Sequence, residues 1–290
     1  MRREKSTATG AKKTSVRRVR AAPRSAPGRA AASLQKELAA AKKAALSAGS
    51  ALRRHFRHRS FEVSSKGYDN PVTSADLEAD RSIRELLGAA FPDYGWLSEE
   101  TSDDRSRLKR RRVWIVDPLD GTKEFIAGIP EFVVSIALAE NGVPILGVTY
   151  NPLKREMFWA VRGRGAHLGR RPIRVSRVRT LARATVLASR SETARGEWRE
   201  FARRMTVSPT GSVAYKLALV ACGRADATFS RTPKSEWDIA AGAALVTLAG
   251  GRVSDITGEE LRFNQPRVTV GGLLASNPSL YPQILKLARR

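Results

Sequence analysis

The run Val113-Trp114-Ile115-Val116-Asp117-Pro118-Leu119-Asp120-Gly121-Thr122 decides how the chain is read. Its first four residues are large, apolar and rich in β-branched types, and they read as a strand. The strand ends at two carboxylates, Asp117 and Asp120, with Pro118 fixing a turn between them. Such a turn lets both carboxylates and the Leu119 carbonyl converge on one point. These are hard oxygen donors of the kind Mg²⁺ prefers. Gly121-Thr122 can open a short helix, whose first N–H groups would face a phosphate. Taken alone, the same residues also fit an Asp-Pro turn with a helix cap.

Working outward, helix and strand signals alternate along the chain. Leu34, Leu38, Ala41, Ala45 and Leu52 keep helical spacing to about residue 58, with Ser33 as the N-cap. A second helix is predicted over 74–91, with Leu77, Ile83, Leu86 and Leu87 as its apolar stripe and Pro92 closing it. Strands are predicted at 96–97, 113–116, 132–139 and 145–150, the last two joined by the hairpin turn Asn141-Gly142. Further strands are read at 158–161, 173–175 and 185–188. Beyond them come a helix at 213–222, a strand at 225–229, a helix at 236–248, strands near 252–253 and at 269–275, and a closing helix from Pro278. The pattern is that of a mixed α/β sandwich of layered helices and sheets.

Composition narrows the setting. The chain has 290 residues, 42% of them hydrophobic, enough for a sizeable core. A single cysteine, Cys222, excludes an internal disulfide and fits a reducing, cytoplasmic compartment. No apolar run is long enough to span a bilayer, so no membrane partner is expected. Net charge is +24, of which residues 1–32 carry +9 and the remaining 258 residues +15. The first 32 residues have almost no large apolar side chains and read as a disordered basic tail. That tail fits a weak nucleic-acid contact, a targeting segment or an extension without function. The basic body should attract anionic ligands such as phosphate esters.

Against this basic background the acids stand out. Glu99-Glu100 follows the apolar Trp96-Leu97, Asp76 sits in the first turn of the second helix, and Asp238 begins the small-residue helix Trp237-Asp238-Ile239-Ala240-Ala241-Gly242. Singly, each reads as a surface acid or a helix cap favoured by the dipole. In their joint order and spacing with Asp117-Pro118-Leu119-Asp120-Gly121-Thr122, over about residues 36–275, they resemble the signature of the inositol monophosphatase superfamily.

The resemblance implies an α/β fold: a five-layer αβαβα sandwich of the inositol monophosphatase/fructose bisphosphatase type, usually a homodimer. It splits the phosphatase domain 33–290 into a metal-loop half, 33–180, and a substrate half, 181–290. It implies hydrolysis of a small phosphomonoester with two or three Mg²⁺ ions. By position, Glu99, Asp117 and the Leu119 carbonyl resemble ligands of a first metal. Asp117, Asp120 and Asp238 resemble ligands of a second, and a weaker third rests on Glu99. Thr122 with Asp76 resembles the pair that orients and deprotonates the attacking water. Lys66 and Glu100 resemble a supporting pair behind the metal loop. Gly121, Thr122, Gly211 and Ser212 resemble substrate contacts, and Lys216 is read as structural. Lithium inhibition is part of the same expectation. His55, His58 and His167 match no functional position, and the first two are placed on an exposed helix end.

Within the superfamily the sequence leans toward the bacterial 3′(2′),5′-bisphosphate nucleotidases, enzymes of sulfur metabolism that convert 3′-phosphoadenosine 5′-phosphate to AMP. Asp-Pro-Leu-Asp-Gly-Thr-Lys-Glu-Phe over 117–125, Ser98 before the acid pair and Lys66-Gly-Tyr-Asp-Asn-Pro-Val-Thr resemble that branch. Arg231 stands where inositol monophosphatases commonly have a Glu, and an Arg can hold a second phosphate. Lys234 and Glu236 lie close enough to Asp238 to alter the pocket, and the basic run from Arg107 to Arg112 reads as a solvated loop or an anion-steering rim. Inositol 1-phosphate and broader sugar phosphates remain alternative substrates. A nucleic-acid-associated scaffold anchored by the basic tail is the alternative of another class.

Overall fold

The computed structural model describes residues 34–67 and 71–289. The predicted cap Ser33 and the basic tail 1–32 lie outside them. The first described element is helix α1, Gln35–His58. A two-stranded ribbon follows, β1 (Val63–Ser65) with β2 (Pro71–Thr73), and leads into helix α2, Ser74–Ala90. Then comes an unbroken run of strands: β3 (Gly95–Ser98), β4 (Arg112–Asp120), β5 (Val133–Glu140), β6 (Val143–Asn151), β7 (Glu156–Val161), β8 (Gly165–Leu168) and β9 (Arg171–Ile173). The short helix α3, Thr122–Ala127, interrupts it after β4. These strands form a 7-stranded sheet in sequence order. Only β3 and β4 run parallel within it. The β5–β6 hairpin turns on Asn141 and Gly142, both at positive φ (51° and 77°) as a two-residue primed turn requires.

A second sheet takes the rest of the chain. β10 (Thr185–Ala188), the short helix α4 (Arg190–Ala194) and β11 (Thr206–Pro209) precede helix α5, Val213–Ala221. β12 (Ala227–Ser230) and the two-residue β13 (Lys234–Ser235) precede helix α6, Glu236–Leu248. β14 (Arg252–Ser254), β15 (Thr269–Val270), β16 (Leu273–Ser276) and helix α7 (Tyr281–Ala288) close the described chain. The 5-stranded sheet has the order β11-β10-β12-β16-β14, and β13 pairs with β15 apart from it.

Alternation on the strands explains the layers. On β4, Trp114 and Val116 pack with α1 and α2, whereas Val113 and Ile115 pack on the other face with α5 and α6. The large sheet is therefore buried on both faces, which is why its strands read as continuous apolar runs. The small sheet shares its inner face with α5 and α6, and its outer face packs on α7 and on Trp198, Phe201 and Met205. The order helix, sheet, helix, sheet, helix is the five-layer α/β sandwich the resemblance implied.

The middle helices lie between two sheets and need small residues. A Cβ on Gly147 of β6 would come within 2.5 Å of the Ala241 carbonyl, and one on Gly242 within 2.3 Å of Leu217. The small residues of α6 thus let it lie close to β6 and α5.

Several local expectations are corrected. Leu77 is 47% exposed; the buried face of α2 is Ala75, Asp76, Ala79, Asp80, Ile83 and Leu87. The strand expected over 269–275 is two strands, broken at Gly271-Gly272, where Gly272 has φ 118°. His55 and His58 do lie in the last turn of α1, with His58 exposed, but His55 is half-buried and its Nε2 pairs with Glu78 at 2.8 Å. The basic run 107–112 is neither a plain solvated loop nor a rim of the acidic cleft. Arg107 is fully buried, bonded to Asp103 (3.1 and 2.8 Å), Asn264 Oδ1 (2.7 Å) and the Gln265 carbonyl (3.0 Å). Arg112 pairs with Glu37 and Glu140, and Arg111 with Glu140. Glu236, expected near the pocket, instead accepts the backbone N–H groups of Asn264 and Gln265.

Arg107 thus ties the segment before β4 to residues more than 150 positions away. Arg107→Ala empties a fully buried position and leaves Asn264 Oδ1 and the Gln265 carbonyl without this donor, and should cost about 1–3 kcal/mol in urea denaturation, the scale of unmet hydrogen bonds. An unchanged midpoint would show that these bonds contribute nothing.

Candidate active site

Asp117 sits at the end of β4, on the face that carries Val113 and Ile115 toward α5 and α6. Its burial follows from the strand's, and the residue is 1% exposed. β3 runs parallel beside β4, with Ser98 paired to Val116 and Glu99 N–H donating to the Val116 carbonyl at 3.2 Å. Parallel pairing therefore sets Glu99 next to Asp117. Asp238 enters from the first turn of α6, across the middle layer. Oxygens of Glu99, Asp117 and Asp238 lie within 4.8 Å of one another. Between Asp117 and Asp120 the β4–β5 register slips, so Asp120 lies opposite Val133 and Asp117 opposite Ser135. This irregularity turns Asp120 toward α5. Its Oδ2 accepts from Ser212 Oγ at 2.6 Å and from Ala214 N–H at 2.5 Å.

Gly121 follows with φ 105°, a conformation that L side chains rarely adopt, and a Cβ there would meet the Glu131 carbonyl at 2.9 Å. It turns the chain into α3 and sets Thr122 at the helix start. Thr122 Oγ1 lies 3.1 Å from Asp76 Oδ1 and 3.1 Å from the Leu119 carbonyl, both acceptors for its one proton. Asp76 is 1% exposed, and its Oδ2 is held by Thr73 N–H at 2.9 Å and Thr73 Oγ1 at 2.5 Å in a capping box. Lys66 Nζ bonds Glu99 at 3.0 Å and Glu100 at 2.8 Å.

One cleft of about 420 Å³ is lined by Glu99, Asp117, Leu119, Asp120, Gly121, Thr122, Gly211, Ser212 and Asp238. The acids, the Asp76-bound hydroxyl and the expected substrate contacts Gly211 and Ser212 thus share one opening. Lys123, Glu124, Ser189, Ser191, Lys216 and Lys234 also line it. Among these, Ser189 and Ser191 carried no signal in the sequence, because they cap and open the short helix α4, which has no apolar periodicity, whereas Glu124, in α3, belongs to the 117–125 run.

Arg231 is the exception. It is exposed, and its guanidinium donates to the Ala288 carbonyl at 3.0 Å and the Leu287 carbonyl at 3.1 Å. It satisfies the last turn of α7, where carbonyls lack helical partners and a cation suits the dipole. The expectation that Arg231 holds a second phosphate is therefore set aside. Ser98 likewise faces inward, bonding Asp80 at 2.5 Å rather than the cleft.

Electrostatics in the cleft are set by burial and crowding. Burial drives the Asp117 carboxyl well above the usual range, and the charges of Glu99, Asp120 and Asp238 push it further. Asp238 is pushed up to about 8, by burial first and then by Asp120 and Glu99. Asp120 is raised by burial, against the bonds from Ser212 and Ala214. Burial also raises Asp76, and raises Glu100 to about 7 despite Lys66. Three carboxylates within reach of one point, repelling each other in a buried site, are a donor set of hard oxygens with the charge a divalent cation would balance. The residues present fit Mg²⁺, with Glu99, Asp117 and Asp238 as the nearest holders.

A carboxyl whose pKa is higher in the folded protein than unfolded favours folding when protonated. That contribution is lost as pH rises from about 4 toward 8. The cation-free protein should therefore show a Tm that falls across this window, and Mg²⁺ should raise Tm more at pH 8 than at pH 5. A Tm increment from Mg²⁺ that is flat with pH would contradict this. Asp117→Asn removes one buried charge: cation-free Tm at pH 8 should match or exceed that of the parent protein, while the Mg²⁺ increment shrinks.

A sequence profile of the Inositol monophosphatase family matches residues 33–290. The chain is 38% identical over 238 residues to an inositol-1-monophosphatase of Caulobacter vibrioides, covering 79% of this chain and 91% of that one. It is 40% identical over 229 residues to the Nus factor SuhB of Xylella fastidiosa, covering 75% and 81%. In three dimensions it resembles the extragenic suppressor protein suhB of Bartonella henselae, with a TM-score of 0.78, 33% identity and coverage of 88% of this chain and 98% of the other. These relatives bear the names of inositol monophosphatases and SuhB rather than of bisphosphate nucleotidases. With its five layers, its shared acidic cleft and a profile match over nearly the whole described chain, the protein belongs to the inositol monophosphatase family.

Proposed function

We propose that the protein is a Mg²⁺-dependent phosphomonoesterase acting on a small phosphorylated substrate. The observation that carries this reading is the shared cleft. Thr122 Oγ1, oriented by buried Asp76, opens on the same space as the Glu99, Asp117 and Asp238 carboxylates. Thr122 has one proton, directed at Asp76 or the Leu119 carbonyl, so its lone pairs remain to accept from a water in the cleft. Burial raises Asp76, which makes it a stronger base than an exposed Asp and able to take a proton relayed through the hydroxyl. The bonds from Thr73 hold Asp76 in that orientation. In this reading the N–H groups of Gly121 and Thr122, at the start of α3, would meet the charge that develops on phosphoryl oxygens. When bound, the divalent cations supply Lewis acidity toward water and balance for charge developing on the ester.

Two substrate readings divide on separate observations. The relatives' names support inositol 1-phosphate or a similar polyol phosphate. Two lysines on the cleft wall, Lys216 and Lys234, support a doubly phosphorylated substrate such as 3′-phosphoadenosine 5′-phosphate. A contact between the basic chain and nucleic acid is a further reading, favoured by the net charge of +24 and by relatives that bear the name Nus factor SuhB. Removing residues 1–32 should then weaken salt-sensitive RNA retention without touching phosphate release.

Purified protein should release phosphate from inositol 1-phosphate, adenosine 3′,5′-bisphosphate or glycerol 2-phosphate only when Mg²⁺ is present, and Li⁺ should inhibit. The ester with the highest kcat/KM decides the substrate. Thr122→Ala should lower kcat by about 10²-fold or more, the scale of general acid–base assistance, with little change in Tm. Mg²⁺-independent turnover, or full activity in Thr122→Ala, would defeat the proposal.

A further inference from the structure

Beside the carboxylates the cleft continues into a recess of about 40 Å³ whose lining includes Ser189, Glu192, Lys216, Ser230 and Lys234. Ser189, Lys216 and Lys234 line the main cleft as well, so the two spaces adjoin. Lys216 is 5% exposed, and its hydrogen bond among the described residues goes to the Thr210 carbonyl at 3.2 Å. An ammonium group has several N–H donors, so the greater part of its capacity is unused. Lys234 is held on β13, paired with Val270 of β15, which fixes its backbone. Its Nζ lies 3.9 Å from Glu192 Oε1, too far for a hydrogen bond.

Glu192 is close yet already engaged. Its Oε1 accepts from Ser230 Oγ at 2.5 Å and its Oε2 from Trp198 Nε1 at 3.2 Å. It attracts Lys234 without taking its donors. The two ammonium groups also act against each other: burial lowers the Lys216 pKa most, Asp120 opposes that, the charge of Lys234 lowers it further, and Glu124 and Glu192 raise it. Two crowded cations with open donors make a place for an anion. The phosphoryl group to be cleaved belongs at the carboxylate side with its cations, so these lysines face a different part of the ligand.

We propose that Lys234, backed by Lys216, is a specificity-determining residue that grips a second phosphate carried on the alcohol portion of the substrate. The proposal rests on the phosphomonoesterase reading and names its substrate class, a bisphosphate. It assigns to Lys234 the task that Arg231, turned toward α7, does not perform. The sugar or nucleoside part stays in the larger cleft, which the recess adjoins.

The test compares KM and kcat for two-phosphate esters (adenosine 3′,5′-bisphosphate, fructose 1,6-bisphosphate) and one-phosphate esters (inositol 1-phosphate, glycerol 2-phosphate) at saturating Mg²⁺. Lys234→Met should raise KM for the two-phosphate set about tenfold or more beyond its effect on the one-phosphate set, the scale of a lost charge-assisted contact. Lys234→Arg should restore much of the ratio. Melting curves of both variants, with Lys234→Gln as a second neutral replacement, separate this from misfolding. An equal change for both sets, or a shift in Mg²⁺ half-saturation with no change in their ratio, overturns the proposal by making Lys234 a mere counter-charge to Asp238. Protein inert on all four esters would sink the phosphomonoesterase reading itself, whereas active protein with an unaltered ratio removes only the role of Lys234.

Discussion

Mutual repulsion among buried carboxylates is the constraint on which the site depends. Asp117, Asp120 and Asp76 are all at most 8% exposed, and Glu99 and Asp238 stand close by. Left to themselves such groups would swing apart or take up water. Backbone structure prevents it. Asp117 is carried on a strand whose preceding residues are locked into cores on both faces, and Glu99 on the strand beside it. The apolar layers thus hold together an arrangement that its own charges oppose.

Helix N-termini supply part of the balance. Asp76 is the third residue of α2 and closes a capping box with Thr73. Asp238 holds the same position in α6 and closes one with Ser235. Asp120 accepts from Ala214 N–H in the first turn of α5 and from its cap Ser212. Three helices therefore point their positive ends toward one cleft, each satisfying an acid with amide N–H groups. The same bonds that end the helices aim the carboxylates. In Asp120 and Asp238 one oxygen is held by these bonds, and in Asp76 the second oxygen meets Thr122 Oγ1, which opens on the cleft.

This double use explains what the sequence could reveal. Each acid alone read as a turn or cap, and Asp76 and Asp238 are indeed caps; their gathering was legible only in the joint spacing. Strands of the large sheet were legible because burial on both faces leaves long apolar runs, and Asn141-Gly142 announced its hairpin. Arg231 and Arg107 were misread for one reason. The partners of Arg231 at the end of α7 and, beyond the nearby Asp103, those of Arg107 at Asn264-Gln265 are 56 to 158 positions away and show no periodicity. Local charge patterns say where cations are, not which distant carbonyl they meet. Lys234 was noticed for its nearness to Asp238, but Glu192, which lies 3.9 Å from it, comes from the short helix α4 and had no signal.

Overall charge and local charge also act on different scales. The chain carries 52 basic and 28 acidic residues, yet its cleft gathers acids that these cations do not neutralise. Lys66 reaches Glu99 and Glu100, and no hydrogen-bonding cation among the described residues reaches Asp117. Lys216, carried on α5, is buried in the middle layer, but its ammonium bonds the Thr210 carbonyl at 3.2 Å rather than Asp117. Lys66, Lys216 and Lys234 thus surround the acids without bonding Asp117, and a small dication is the counter-charge whose size suits that point.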